Sequence, residues 1–231
     1  NKMVKNYFFL SIAIVIASIV LGVSAIVATQ PKASVLVRGL AQREVDANLA
    51  IWRMSYSLGS NELAALQSEI NTKNAVITEF LLAHGLSSDD FSVLPASITD
   101  ISLDMYGDKS HISYTFIATA TTLVRTSKIK ELQAAFKDSS ALISSGIAIL
   151  QDFDNKINYE FTALNEIKPA MVEEATKNAR EVAVKFAKDS NSQVGKIKNA
   201  SQGVFSIENA SGGLEDKKRV RVVTQIEYFL K

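Results

Sequence analysis

The chain has 231 residues, of which 25 are Lys or Arg and 24 are Asp or Glu, with two His and no Cys. A formal net charge of +1 lacks the cationic excess that binding a phosphate backbone draws on, so nucleic acid is not an expected partner. The absence of Cys excludes disulfides, Cys-ligated zinc, iron–sulfur clusters and a thiol nucleophile together.

The first element is the uncharged run Tyr7–Ala28, YFFLSIAIVIASIVLGVSAIVA. As a helix it would be roughly 33 Å long at 1.5 Å per residue, enough to cross a hydrocarbon core of about 30 Å. Lys2 and Lys5 precede it, and the positive-inside tendency then keeps that end in the cytoplasm and sends the rest of the chain outward. A cleavable signal peptide is the competing reading, with Val23-Ser24-Ala25 as a small-residue cleavage site, but the run exceeds the usual h-region of about 7–15 residues. The expectation is a retained anchor over residues 1–30, a single-pass protein of the bacterial inner membrane, and an extracytoplasmic domain over residues 31–231 facing the periplasm. Both readings export the domain.

Gln30-Pro31-Lys32 ends the apolar segment, because Pro disfavours helix in the residue before it. Ser34–Gly39 and Val45–Leu58 carry the strand period, which predicts two antiparallel strands joined near Ala41–Glu44. Gly59-Ser60-Asn61 predicts a turn and N-cap. Leu63, Leu66, Ile70, Ile77, Phe80 and His84 then recur at helical spacing, up to Gly85 as a left-handed cap. Phe91–Tyr106 and Lys109–Val124 alternate on either side of Gly107-Asp108 and read as a long hairpin. Thr126 or Ser127 caps a second predicted helix with Ile129, Leu132, Phe136 and Ile143 on its apolar face, and Ser144-Ser145-Gly146 stops it.

Ile147–Thr162 is a further strand region. The third helix is predicted from Pro169 at its first position, Glu173 and Glu174 near its start and Lys185 and Lys188 near its end, charges that oppose the helix dipole. Its stripe of Val172, Ala175, Ala179, Val182 and Phe186 is narrow and rich in Ala, which allows close approach to a neighbour. Two strands, Val194–Ile207 and Arg219–Phe229, close the chain around Ser211-Gly212-Gly213. The order β-β-α-β-β-α-β-α-β-β, with strands in hairpins, predicts an α+β domain of mostly antiparallel sheet with three helices packed on it, preceded by one N-terminal transmembrane helix.

A resemblance rests on the run Ile157–Ile207. It is carried by Phe161-Thr162 with Leu164-Asn165, by Lys168-Pro169, by Ala175 with Ala179-Arg180, by Phe186-Ala187 with Ser190, and by Gly195, Ala200, Gly203 and Phe205. Upstream, Val37-Arg38-Gly39 and Val45-Asp46-Ala47 extend it to about residues 33–230. The chain resembles the SIMPL-domain family of bacterial exported proteins, which includes periplasmic immunogenic and oxidative-stress-defence members. That resemblance implies an α+β domain of the export compartment, ring- or channel-like homo-oligomers and a part in envelope stress defence. It carries no catalytic residues, and a retained anchor departs from members with cleaved signals.

The chemistry-bearing residues have plain structural roles available. His84 precedes a C-cap Gly, and His111 starts a strand; neither has HExxH or HxH spacing. Asp152-Phe153-Asp154-Asn155 begins like a calcium loop, but Lys156 takes a ligand position and no Gly or closing Glu follows. No G-x-S-x-G elbow or Gly-rich phosphate loop is present. Asp89-Asp90 and Glu173-Glu174 are adjacent in sequence, which points their carboxylates differently and fits a loop and a helix start. Lys217, Lys218, Arg219 and Arg221 fit a solvated hairpin end, with an acidic partner or lipid headgroups as the alternative. Asn199-Ala200-Ser201 and Asn209-Ala210-Ser211 match glycosylation sequons without carrying a conclusion.

The expectations are therefore no catalytic, cofactor-binding or metal site, no cofactor, and an inner-membrane contact through residues 7–28. The expected function is a non-enzymatic domain that self-assembles into a ring- or cage-like homo-oligomer. The alternative is a monomeric periplasmic binding or adaptor module for a peptide or envelope component.

Overall fold

The structure is a computed structural model that describes residues 15–24, 32–103, 113–150, 156–212 and 215–231. Residues 15–24 form helix α1, whose Val15, Ile16, Ile19, Val20, Leu21 and Val23 are exposed. Among the described residues no helix is long and apolar enough to cross a membrane. The rest of the predicted anchor, residues 7–14 and 25–28, lies outside the described residues.

The remaining elements are β1 (Ser34–Asp46), β2 (Leu49–Ser60), α2 (Leu63–Ala83), β3 (Phe91–Val93), β4 (Ser97–Asp100), β5 (Phe116–Thr126), α3 (Ile129–Asp138), β6 (Asn158–Glu160), α4 (Leu164–Asp189), β7 (Val194–Gln202), β8 (Ser206–Asn209) and β9 (Lys217–Leu230). The fold is α+β with antiparallel sheets, as the sequence predicts, but the described residues carry four α-helices where three were expected on the sheet, α1 being the addition. The strands also fall into two sheets. One has the order β1-β9-β7 with β8 also pairing β9; the other has the order β3-β5-β2-β6 with β4 also pairing β5.

The predicted β1–β2 hairpin is therefore a misreading. Each segment is a strand, but the chain breaks at Ala47-Asn48 and the two strands enter different sheets. The Ala47 N–H donates to the Asp216 carbonyl at 2.7 Å and the Asn48 N–H to the Glu160 carbonyl at 3.0 Å. Asn48 Oδ1 accepts from the Thr162 N–H at 2.8 Å. Alternation reports which face of a strand is buried, not which strand lies beside it.

Contacts divide the chain into two units. The larger comprises residues 42–171 and 205–221. Its core joins Trp52, Met54 and Tyr56 of β2 to Leu66, Ile70, Ile77 and Leu81 of α2 and Leu132 and Ala135 of α3. Phe136 meets Trp52 edge-on, with ring centroids 5.3 Å apart and planes at 72°. The long hairpin is present in its outer parts: Ile98 faces Ala118 and Ser97 faces Thr119, pairs placed symmetrically about position 108. Gly107-Asp108 itself, with His111, lies outside the described residues. Pro95 stands between β3 and β4, where it has no N–H to give to a ladder and splits the first arm in two.

Helix α2 ends as expected, with Gly85 at φ 86° after His84. Its start differs. Glu62 is the N-cap without a side-chain bond, and Asn61 Oδ1 instead accepts the Thr115 N–H at 2.9 Å. The second helix has Lys128 as its N-cap without a side-chain bond, where Thr126 or Ser127 was expected; Thr126 Oγ1 accepts the Lys128 N–H at 3.0 Å in the turn before it. At Ser139 it tightens into a 3-10 helix ending at Ser145 before Gly146. With three residues per turn the buried face moves onto Leu142, which leaves the predicted core residue Ile143 exposed. Of the strand region Ile147–Thr162, Asn158–Glu160 forms β6 and Ile149 makes an isolated bridge to Tyr56; residues 151–155 lie outside the described residues.

The smaller unit comprises residues 1–41, 172–204 and 222–231, of which 15–24 and 32–41 are described in the first segment. Here β1, β9 and β7 form sheet, and Val37, Ala179, Ala183, Ile226 and Tyr228 form the core. Helix α4 starts at Leu164, so Pro169 sits inside its first turns and not at its first position; Glu166 is the acidic residue of the first turn. Its buried residues are Met171, Ala175, Ala179, Ala183 and Ala187, a strict four-residue step, while Val182 and Phe186 of the predicted stripe are exposed. The close approach expected of an Ala-rich helix is realised at Gly39 of β1. A Cβ added there would lie 1.9 Å from the Ala175 carbonyl oxygen and 2.4 Å from the Ala179 nitrogen.

Candidate functional site

Strand β7 is an end strand of its sheet among the described residues, paired on one side with β9. Seven consecutive residues, Lys196–Gln202, are exposed. The ladder to β9 is irregular between Val194 and Asn199 and regular beyond, with Asn199 opposite Glu227, Ala200 opposite Ile226, Ser201 opposite Gln225 and Gln202 opposite Thr224. The sequence forms a strand here for want of a helical stripe and because β9 brings Thr224–Leu230, with Thr224, Ile226, Tyr228 and Phe229, beside it. A strand paired on one edge presents a row of N–H and C=O groups on the other, which is the chemistry of strand addition.

The opposite end strand, β1, alternates in the same unit. Val37 and Gly39 are buried, while Leu36 and Leu40 are exposed at 59% and 43%. Polar ties hold the sheet. Glu227 accepts from Ser34 Oγ at 2.6 Å and from Lys198 Nζ at 2.8 Å. The Lys198 hydrogen bond, with that of Ser34, holds its carboxyl below the ordinary glutamate range. Arg38 Nε donates to Gln225 Oε1 at 3.0 Å.

The residues singled out from the sequence lie apart from this edge and are engaged locally. His84 donates from Nδ1 to the Phe80 carbonyl at 2.8 Å, and its Nε2 lies 3.2 Å from Asp138 Oδ2. Asp90 is tied by the Ser87 N–H at 2.8 Å, Ser87 Oγ at 2.6 Å, Thr126 Oγ1 at 2.8 Å and Lys128 Nζ at 2.9 Å. Burial pushes its carboxyl upward, but the hydrogen bonds from Ser87, Lys128 and Thr126 outweigh that and hold it well below the usual carboxylate range. Asp89 beside it is exposed, so the two carboxyls do not face one another as a working pair. Glu173 and Glu174 lie beyond the first turn of α4.

The basic cluster is largely matched by charge. Lys217 pairs with Asp46 at 2.7 Å and Arg219 with Glu44 at 3.1 Å. Lys218 is buried and donates to Asn209 Oδ1 at 2.5 Å. Burial lowers its ammonium pKa. Among the described residues no group of three or more His, Asp or Glu is placed to hold a metal ion; His111, Asp152 and Asp154 lie outside them.

A comparison with protein families matches residues 35–225 to SIMPL, a protein of unknown function (DUF541). The chain belongs to the SIMPL family. The match runs from the first residues of β1 into β9 and so takes in both units of the SIMPL fold seen here. No curated protein matches the chain. The open β7 edge had one sequence signal, the largely polar run Lys196–Gln202; the exposed face of β1 had none, because Leu36 and Leu40 read as core from hydropathy alone.

Proposed function

We propose that this SIMPL protein is a non-enzymatic, membrane-anchored domain facing the periplasm, whose copies assemble through the open edges of the four-stranded sheet into a ring- or cage-like homo-oligomer serving envelope stress defence. The observation that carries the reading is β7: a strand with one partner among the described residues and seven exposed residues in a row. Pairing β7 of one copy with β1 of the next uses two different surfaces, and a heterologous contact of that kind closes into a ring when its rotation permits. Exposed Leu36, Leu40 and Ile197 add apolar area beside these edges. The anchor rests on the uncharged run 7–28 behind Lys2 and Lys5.

Analytical ultracentrifugation of the full chain in detergent tests the assembly. The expected result is a discrete oligomer that dissociates when edge charges are introduced together as Ile197→Glu and Ser201→Glu. A monomeric native chain overturns the reading and leaves the monomeric binding module in its place. Placement is tested by labelling. The chain has no Cys, so Val204→Cys, at a position 92% exposed, supplies a single thiol. Its reaction with a membrane-impermeant maleimide in intact spheroplasts is expected, and reaction only after lysis overturns the periplasmic orientation.

A further inference from the structure

One end of the smaller unit is assembled from segments distant in the chain. The Leu230 N–H donates to the Ala33 carbonyl at 2.8 Å, which sets the end of β9 beside the start of β1. Gln193 and Lys231 exchange backbone hydrogen bonds, the Gln193 N–H reaching the Lys231 carbonyl at 2.8 Å and the Lys231 N–H the Gln193 carbonyl at 2.9 Å. The turn from α4 into β7 therefore lies at the same end. It is tight, because the Ser192 N–H returns to the Ala187 carbonyl at 2.8 Å with Asn191 at φ 52°, and so the last turns of α4 are held there too.

Cationic side chains gather at this end. Lys32, Lys185, Lys188, Lys196 and Lys231 are exposed, and among the described residues none of the five is in an ion pair. Lys198 adds a cation matched by Glu227 at 2.8 Å, and Asp189 adds an exposed carboxylate. Lys32 and Lys198 both approach the Phe229 ring, with their Nζ atoms 6.0 and 5.9 Å from its centroid. The chain as a whole carries a net charge of only +1, so this concentration is local. It also differs from Lys217 and Arg219, whose charges meet Asp46 and Glu44. Beside the lysines, Phe186 is 57% exposed and Val184 50%. Cations interleaved with exposed apolar side chains are the composition of a surface that lies on headgroups.

We propose that this end of the smaller unit rests on the anionic headgroup surface of the bilayer that holds the anchor, with the lysines on lipid phosphates and Phe186 at the acyl boundary. The occupant follows from chain length, given the anchor proposed above. Four residues carry the chain from Ala28, the last of the uncharged run, to Lys32, a reach of at most roughly 14 Å. The bilayer surface is thus the anionic surface within reach of this end. A soluble anion would meet the same lysines but would give Phe186 no apolar partner. Cyclic assembly is compatible with the contact, because it turns the same end of every copy to one side.

Lysine footprinting tests the contact. The full chain is reconstituted into nanodiscs of phosphatidylcholine, or of phosphatidylcholine and phosphatidylglycerol in equal parts, and acetylated with acetic anhydride, an uncharged reagent; rates at each Lys are read by mass spectrometry. Lys32, Lys185, Lys188, Lys196 and Lys231 are expected to react about fivefold more slowly in the anionic discs, the weight of one lysine at an anionic surface, and to recover at high salt. Lys177 is the internal reference. It is exposed on α4 at roughly 12 Å from Lys185 by helical rise, beyond a Debye length of about 8 Å, and its two rates should agree. Lys185→Gln, Phe186→Ala and Lys188→Gln together should restore the rates of Lys32 and Lys231 with circular dichroism unchanged. Equal rates in the two discs, equal slowing at Lys177, or undiminished slowing in the triple variant would overturn the proposal. Coverage by a second copy slows the lysines in both discs alike and so gives the first of these results. Failure of the anchor reads differently: the chain then elutes apart from neutral discs, and capture by anionic discs alone with the same five lysines slowed still supports the headgroup contact.

Discussion

The two units solve the same packing problem with opposite materials. The larger fills its interior with bulk: Trp52, Met54, Tyr56, Leu66, Ile77 and Leu81 are all at or below 1% exposure. The smaller brings backbones together, setting Ala179 and Ala183 of α4 beside Val37, Ile226 and Tyr228, with Gly39 under Ala175 and Ala179. The first arrangement gains from apolar area and fails when volume is removed. The second gains from short-range contact along a helix and fails when volume is added.

Removal of bulk has the largest expected effect. Trp52→Ala leaves a cavity against Phe136 and should cost about 4 kcal/mol in chemical denaturation. Addition of bulk comes next. Gly39→Val must force β1 from α4, since even a methyl group would overlap the Ala175 carbonyl. A cost of about 3 kcal/mol is expected. Tolerance of both changes would erase the contrast.

The polar ties differ in the same direction. Asp90, in the larger unit, has a side chain 15% exposed; Glu227, in the smaller, is more open and its tie correspondingly screened. Both carboxyls have folded-state values lowered from the ordinary ones, so each contributes stability that is present above the unfolded value and is lost as pH falls through the folded one. For Asp90 the loss begins below about pH 4, the unfolded aspartate range. Asp90→Asn should cost about 2 kcal/mol at neutral pH and flatten the acid limb of a stability–pH curve. Glu227→Gln should change that limb less. The smallest effect is expected at Phe186. It is 57% exposed, and Phe186→Ala should alter stability by no more than about 0.5 kcal/mol. Ala183→Leu, one turn earlier on the buried step, is the discriminating partner, with an expected cost of about 2 kcal/mol.

Phe186 also shows where reading the chain reached its limit. A large aromatic at helical spacing looks like core and Ala183 carries almost no hydropathic signal, yet the helix turns Ala183 inward because small side chains are what let it lie against Gly39. The open β7 edge left one local signal, the largely polar run Lys196–Gln202, but Val194–Ile207 still read as one long strand. The break at residues 203–205 and the partner β9 emerged with the fold.

Much else was settled locally. Gly85 ends α2, and the described hairpin pairs sit symmetrically about Gly107-Asp108, because caps and turns depend on a few neighbouring residues. The motif that places the chain in the SIMPL family lies in its own linear order as well. Tertiary structure alone assigned β1 and β2 to different sheets, chose which face of α4 is buried and gathered Lys32, Lys188 and Lys231 at one end of the smaller unit. Those outcomes depend on partners distant in the chain, and a two-residue or four-residue period specifies a face without specifying what will cover it.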